Sequence, residues 1–249
     1  MNNLIVTSTA YKAGKYAKQC IDSVRNQEDV AYRHCYISFD RETMRYLEEI
    51  EPTIHEDQRL ALYYSEKKTF VEELLPLWLS LDPEDIVVWL DGDDWLAINE
   101  ALAVVKSHYE QGAWATYGQF LWSSRYLDFA RPGDVGCAWQ SGDNPRQEPW
   151  RATHLKTFKA GLIRHIRTSD LKWPDGEWAG VGGALDQRIM LAILEMAQER
   201  AHFISQVLYV FNCKGGAWEI KCPEEERRKG DHELRRVRNL PKYPRLQHY

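Results

Sequence analysis

Asp91-Gly92-Asp93-Asp94 sets three carboxylates close together, directly after the apolar run Ile86-Val87-Val88-Trp89-Leu90 and ahead of Trp95 and Leu96. Acids this close repel one another unless protons or a cation neutralise them. With oxygen the only donor atom, the fitting cation is a hard divalent ion, Mg²⁺ or Mn²⁺, with nucleotide phosphates completing its shell. A solvated acidic turn or a helix N-cap would use the same residues, and Asp94 is placed to cap a following helix. The preceding run favours the metal. Its β-branched and aromatic residues predict a buried central strand, and Gly92 lets the backbone turn where that strand stops. The acids then emerge at a strand's C-terminal edge, where open α/β sheets bind ligands.

The rest of the chain predicts the elements that such a sheet needs. Leu4-Ile5-Val6 reads as a short strand, and Thr7 to Gly14 as the polar loop after it. A helix with Tyr16, Cys20, Ile21 and Val24 on one face follows. Tyr36-Ile37-Ser38-Phe39 then alternates as a strand and ends on Asp40, which completes a β-α-β unit. Residues 43–50 read as a helix, Leu60 to Tyr64 as a third strand, and Phe70 to Leu81 as a helix in which Pro76 predicts a kink or a later start. Ile98 to Gln111 is periodic and stops at Gly112; Trp114 to Phe120 reads as a strand. From Ser123 to Trp150 periodicity fails, which predicts a long loop or lid. A regular pattern returns at Thr157 to Ile163, and a second loop, Asp170 to Gly183, carries Trp173, Asp175, Glu177 and Trp178. Asp186 opens a helix over residues 184–200, and Phe203 to Phe211 reads as a final apolar strand.

Composition narrows the classes. With 249 residues, 44% of them hydrophobic, the chain can bury a full core, and a single large domain is the favoured reading. The net charge of −5 gives no general attraction to nucleic acid or anionic membrane. No run of 18 apolar residues exists and Met1-Asn2-Asn3-Leu4 leads straight into a strand, so a cytoplasmic protein without an integral membrane segment is expected. Cys20, Cys35, Cys137, Cys213 and Cys222 lack the spacing of a zinc ribbon, and their odd number argues against a disulfide framework. From Arg227 onward eight Arg or Lys face two acids. This segment reads as a solvated terminal helix; phosphate contacts through Arg227, Arg228, Arg235, Arg236 and Arg238 are the other use.

Taken together, these segments resemble the family 2 glycosyltransferases of the GT-A fold, from about Leu4 to about Asn212. Leu4 to Gln27, ending Cys20-Ile21-Asp22-Ser23-Val24-Arg25-Asn26-Gln27, is similar to the family's opening strand, loop and helix, with Tyr11 on its loop tyrosine. Asp40 falls on the second acid of a paired Asp after the second strand. Trp89 to Leu96 resembles the metal-binding Asp-x-Asp signature, and Leu185-Asp186-Gln187-Arg188 lies where the family has Glu-Asp and then a helix. The chain departs from the pattern at Thr9-Ala10-Tyr11-Lys12, at Phe39, at Pro76 and at Leu185.

The resemblance implies a GT-A domain over 1–215, divided into a nucleotide-sugar-binding half (1–122) and an acceptor-binding half (150–215), with 216–249 as a basic extension. It implies an inverting transfer from a nucleoside diphosphate sugar to an acceptor hydroxyl, with Asp91 and Asp93 at the metal. Thr7, Thr9, Tyr11, Asp40 and Asp91 are the nucleotide-binding candidates. Tyr11 would lie against the base, and Asp40 would accept from an imide N–H, which favours uridine or thymidine donors. Asp186 is the candidate base for the acceptor proton, ahead of Asp175 and Glu177. Lys12, Lys67 and Lys68 are candidates for the diphosphate. Nucleotidyl transfer and a non-catalytic sugar-nucleotide module remain alternatives, and a glycan, a protein or a hydroxymethylated DNA base are the acceptor alternatives.

Overall fold

A computed structural model describes residues 3–123, 144–179, 184–213 and 224–249. Strands β1 (Leu4–Ala10), β2 (Tyr32–Ser38), β3 (Leu60–Tyr64) and β4 (Ile86–Asp91) run parallel. They are followed by β5 (Trp95–Leu96), β6 (Ala115–Gly118), β7 (Phe120–Trp122), β8 (Thr153–Lys159), β9 (Ala201–Phe203) and β10 (Tyr209–Phe211). Seven strands form one mixed, largely parallel sheet in the order β3-β2-β1-β4-β8-β6-β9, with β8 antiparallel to both neighbours; β5-β10-β7 form a small second sheet. Helices α1 (Lys15–Arg25), α2 (Arg41–Ile50), α3 (Phe70–Ser80), α4 (Ala101–Glu110), α5 (Leu185–Ala197) and α6 (Glu224–Arg238) flank them.

The alternation of β4 explains the two core layers. Val88 and Leu90 belong to one buried cluster with Cys20 and Ile21 of α1 and Leu102 of α4, whereas Val87 and Trp89 belong to the other with Trp78 of α3 and Ile189 and Ile193 of α5. Strands buried on both faces need this near-continuous apolar run. Among the described residues no helix is long and apolar enough to cross a membrane.

Several local expectations are corrected. The polar residues Thr7, Ser8 and Thr9 belong to β1, because β2 and β4 pair with it on either side and the deeper hydroxyls find partners indoors. Ser8 Oγ lies 2.9 Å from His34 Nε2, and Trp78 Nε1 donates to Thr7 Oγ1 at 3.3 Å. Helix α3 starts where its pattern begins, with Glu72 accepting from the Thr69 N–H at 2.9 Å, and keeps Pro76 inside. Phe203 to Phe211 is two short strands, β9 and β10, that join different sheets. Most of the expected 123–150 loop, the glycines at 180, 182 and 183, and Cys137 and Cys222 lie outside the described residues; Cys20, Cys35 and Cys213 are free thiols.

The C-terminal segment packs against the domain. Val237 and Tyr243 are buried, and the Tyr249 ring reaches Gly161 and Trp114. Glu233 Oε2 accepts from Arg188 of α5 at 2.5 Å and from Arg236 at 2.7 Å. Arg238 donates to Gln187 and to the Glu148 carbonyl. Arg236 and Arg238 are thus engaged within the fold rather than presented to a phosphate backbone.

One stability prediction follows from the core. Burial drives His34 down to about 3 from its ordinary 6.5. The unfolded imidazole takes a proton near 6.5 and the folded one does not, so the stability is complete above that pH and is lost as pH falls toward 3. Between pH 7 and 5 His34 removes about 2 kcal/mol. Urea unfolding at the two pH values should show this loss, and His34→Gln should shrink it by that amount; an unchanged pH dependence in the variant would sink the assignment.

Candidate active site

The acidic turn is built by close approach of backbone. Gly92 N donates to the Thr9 carbonyl at 2.9 Å, and the Gly92 carbonyl accepts from Tyr36 Oη at 2.7 Å. A Cβ on residue 92 would sit 2.7 Å from that of Ala10 and 2.9 Å from the Thr9 carbonyl oxygen. Only glycine fits without moving the strand ends.

The three acids then divide. Asp94 does not cap a helix. Its side chain is buried, with Oδ1 accepting from Asn212 N at 2.7 Å and Oδ2 from the Tyr209 hydroxyl. Asn212 Nδ2 also donates to the Asp93 carbonyl at 3.0 Å, so the end of β10 clamps the turn. Burial holds the Asp94 carboxyl well above the usual carboxylate range, and the charges of Asp91 and Asp93 push the same way. Asp91 is raised as well, chiefly by burial, with Lys156 opposing and Asp186 adding to the rise.

Lys156 escaped the sequence reading. Strand β8 pairs it directly with Trp89, two residues before Asp91 on the same face of β4, and its ammonium lies 5.4 Å from the Trp89 ring centroid. Lys156 is only 4% exposed. Its Nζ is 3.5 Å from Asp186 Oδ2. A lysine set among Leu155, Thr157 and Phe158 is the signal available in the sequence, although the regular pattern itself begins one residue later, at Thr157.

Asp186 lies in the first turn of α5. The N-cap is Ala184, in the left-handed region at φ 53°, and among the described residues no side chain caps the helix. Asp186 Oδ1 accepts from Gln187 N at 2.8 Å, while Oδ2 faces Lys156 and the side chain keeps 40% exposure. A partly solvated carboxylate therefore stands across from the β4 acids. The position of α5 is fixed by Arg188, whose Nη1 donates to the Asp170 and Lys172 carbonyls at 2.6 and 3.1 Å, and by Glu195, which pairs with Arg146 Nε at 2.6 Å.

The remaining candidates separate by depth. Thr9 pairs in register with Asp91 and so lies beside the acids. Thr7 pairs with Trp89 one pleat lower, is fully buried, and accepts from Trp78 Nε1 at 3.3 Å. Tyr11 is 53% exposed, with Lys12 Nζ 5.0 Å from its ring centroid. Asp40 is the N-cap of α2: Oδ1 accepts from Thr43 N at 2.8 Å and Oδ2 from Lys12 N at 2.5 Å and Thr43 Oγ1 at 3.1 Å. Those bonds leave one lone-pair direction, on Oδ1, for a base. Asp175 and Glu177 sit at an exposed turn, where Asp175 Oδ1 accepts from Glu177 N at 3.0 Å, and Lys67 and Lys68 are exposed.

Among the described residues no trio of His, Cys, Asp or Glu is arranged to hold a metal. The donor set fits a different kind of site. Asp91 and Asp93 offer two hard oxygen ligands at an open strand edge, the number with which Mg²⁺ is held when substrate phosphates and water complete its shell. Which ligand supplies the rest is a matter for the donor.

No protein-family model matches the chain. Nor does any curated protein sequence match it. Solved structures do. S. aureus TarS, residues 1–349, in complex with UDP-GlcNAc superposes with a TM-score of 0.63 at 11% identity, over 93% of this chain and 65% of that one. The same TarS segment without ligand gives 0.58 at 14%, over 84% and 60%. The mannosyltransferase PcManGT from Pyrobaculum calidifontis, in complex with GDP-Man and Mn²⁺, gives 0.55 at 16%, over 88% and 59%. This chain spans about 60–65% of the first two structures' length. At such identities the likeness establishes the fold, which is of the GT-A kind.

Proposed function

We propose that the chain is an inverting glycosyltransferase that moves a sugar from a nucleoside diphosphate sugar to an acceptor hydroxyl. The observation that carries the reading is the convergence of Asp91 and Asp93, at the C-terminal end of a parallel strand, with the partly solvated Asp186 brought across from α5. Fold neighbours that bind UDP-GlcNAc and GDP-Man with Mn²⁺ support it.

In this reading Asp91 and Asp93 hold a divalent ion, Mn²⁺ or Mg²⁺, which as a Lewis acid stabilises charge on the departing diphosphate. The open face of Tyr11 stacks on the base, and Thr9 lies along the path from base to phosphates. Asp186 takes the acceptor proton as the hydroxyl attacks the sugar from the side opposite the diphosphate. Its partial exposure leaves room for the acceptor. Uridine is the first base to test, since the superposed TarS complex holds UDP-GlcNAc. The lone-pair direction left on Asp40 Oδ1 accepts the imide N–H of the base, and Tyr11 adds a stacking face that any base can use. The acceptor is one of the three classes named from the sequence, and the internal bonding of Arg236 and Arg238 weighs against a DNA-borne one.

The test is a panel of nucleotide sugars with Mn²⁺, read by release of nucleoside diphosphate and by thermal protection. Uridine diphosphate is expected to raise the melting temperature in the presence of metal, as a ligand bound to the folded state alone must. Tyr11→Ala should weaken that protection. Absence of protection by every nucleoside diphosphate, with or without metal, would end the reading.

A further inference from the structure

Lys156 is buried, yet the transfer chemistry above gives it no step. Its ammonium is 3.5 Å from the Asp186 carboxylate, over the Trp89 ring, and its charge also acts on Asp91. One fixed positive charge thus serves an acid from each side of the cleft, one of the two metal-holding carboxylates and the base. A divalent ion entering at Asp91 and Asp93 meets both a lowered negative charge and a like charge nearby, and because Lys156 is itself buried its charge is screened less than a surface lysine's.

We infer that Lys156 is a built-in counter-cation that keeps a divalent ion from settling on Asp91 and Asp93 until a nucleoside diphosphate brings further negative charge. Metal entry is thereby coupled to donor entry. The inference rests on the proposed function, because it takes Asp91 and Asp93 as the metal-holding pair. Lys156 is in these terms a positioning residue for charge, since it touches Asp186 rather than the reacting atoms.

The experiment measures Mn²⁺ binding to the full chain by the loss of the free-ion electron paramagnetic resonance signal, with and without UDP. Wild-type protein is expected to bind Mn²⁺ weakly alone and at least ten-fold more tightly with UDP. Lys156→Met should bind Mn²⁺ at least ten-fold more tightly than wild type without nucleotide, and should lose that gain when Asp93→Asn is added. Lys156→Arg, which keeps the charge, should behave as wild type. Should Lys156→Met fail to fold in a melting experiment, Lys156→Gln gives the same comparison in nearly the same space. Equal nucleotide-free binding by the neutral variant and wild type, with both gaining from UDP, overturns the inference and leaves the proposed function standing. Tight binding by wild type without nucleotide overturns it too. No binding to any form even with UDP or GDP overturns the metal assignment itself, and this inference with it.

Discussion

Asp186→Asn is expected to slow sugar transfer by roughly 10²–10⁴-fold while donor binding survives, the loss that follows removal of a positioned general base. The change preserves size and leaves an oxygen to accept from Gln187 N, so the first turn of α5 keeps that bond. What disappears is the charge. As a favourable partner of the helix dipole alone that charge is worth about 0.3–1 kcal/mol, and its loss would leave turnover untouched. Single-turnover transfer at saturating donor separates the two roles, with a melting curve to show that the variant is folded. A wild-type rate would send the search for the base to Glu177 or Asp175, both on the exposed turn after Trp173.

Asp93→Asn should resemble the wild-type protein in chelator. Removing one of two carboxylates takes away half of the protein's charge toward the ion and almost no volume. A metal acting as Lewis acid supplies several kcal/mol to such a reaction, so kcat/KM should fall by on the order of 10³-fold or more. The fall should be matched by EDTA and reversed by Mn²⁺ or Mg²⁺ only in wild type. Full activity of wild type in EDTA would sink the metal assignment and turn attention to Lys156 as a permanent cation for the diphosphate.

Much of this was legible before any coordinates. Residues 86–91 announced a central strand through their apolar run, and the acids at its end followed from one glycine. Helix α5 and the place of Asp186 near its start came from spacing. The misread parts share a physical cause, which is that their role is set by a partner distant in the chain. Thr7 and Ser8 look like loop because they are polar, and only Trp78 and His34 make them fit a buried strand. Asp94 looks like a helix cap, and only Tyr209 and Asn212, 115 and 118 residues away, recruit it as a clamp. Lys156 looks like a surface lysine until antiparallel pairing sets it opposite Trp89.

The pairing of Arg188 with Glu233 also imposes an order in time. The two residues are 45 apart in the chain, and at a synthesis rate of about 5–20 residues per second the second follows the first by roughly 2–9 s. During that interval β1 to β4 and every acid of the cleft have been made, while the guanidinium that seats α5 still lacks its carboxylate. A growing chain therefore has its sheet and the Asp170, Lys172 and Arg146 partners of α5 in hand first, and the carboxylate that closes the second half of the Arg188 guanidinium arrives last.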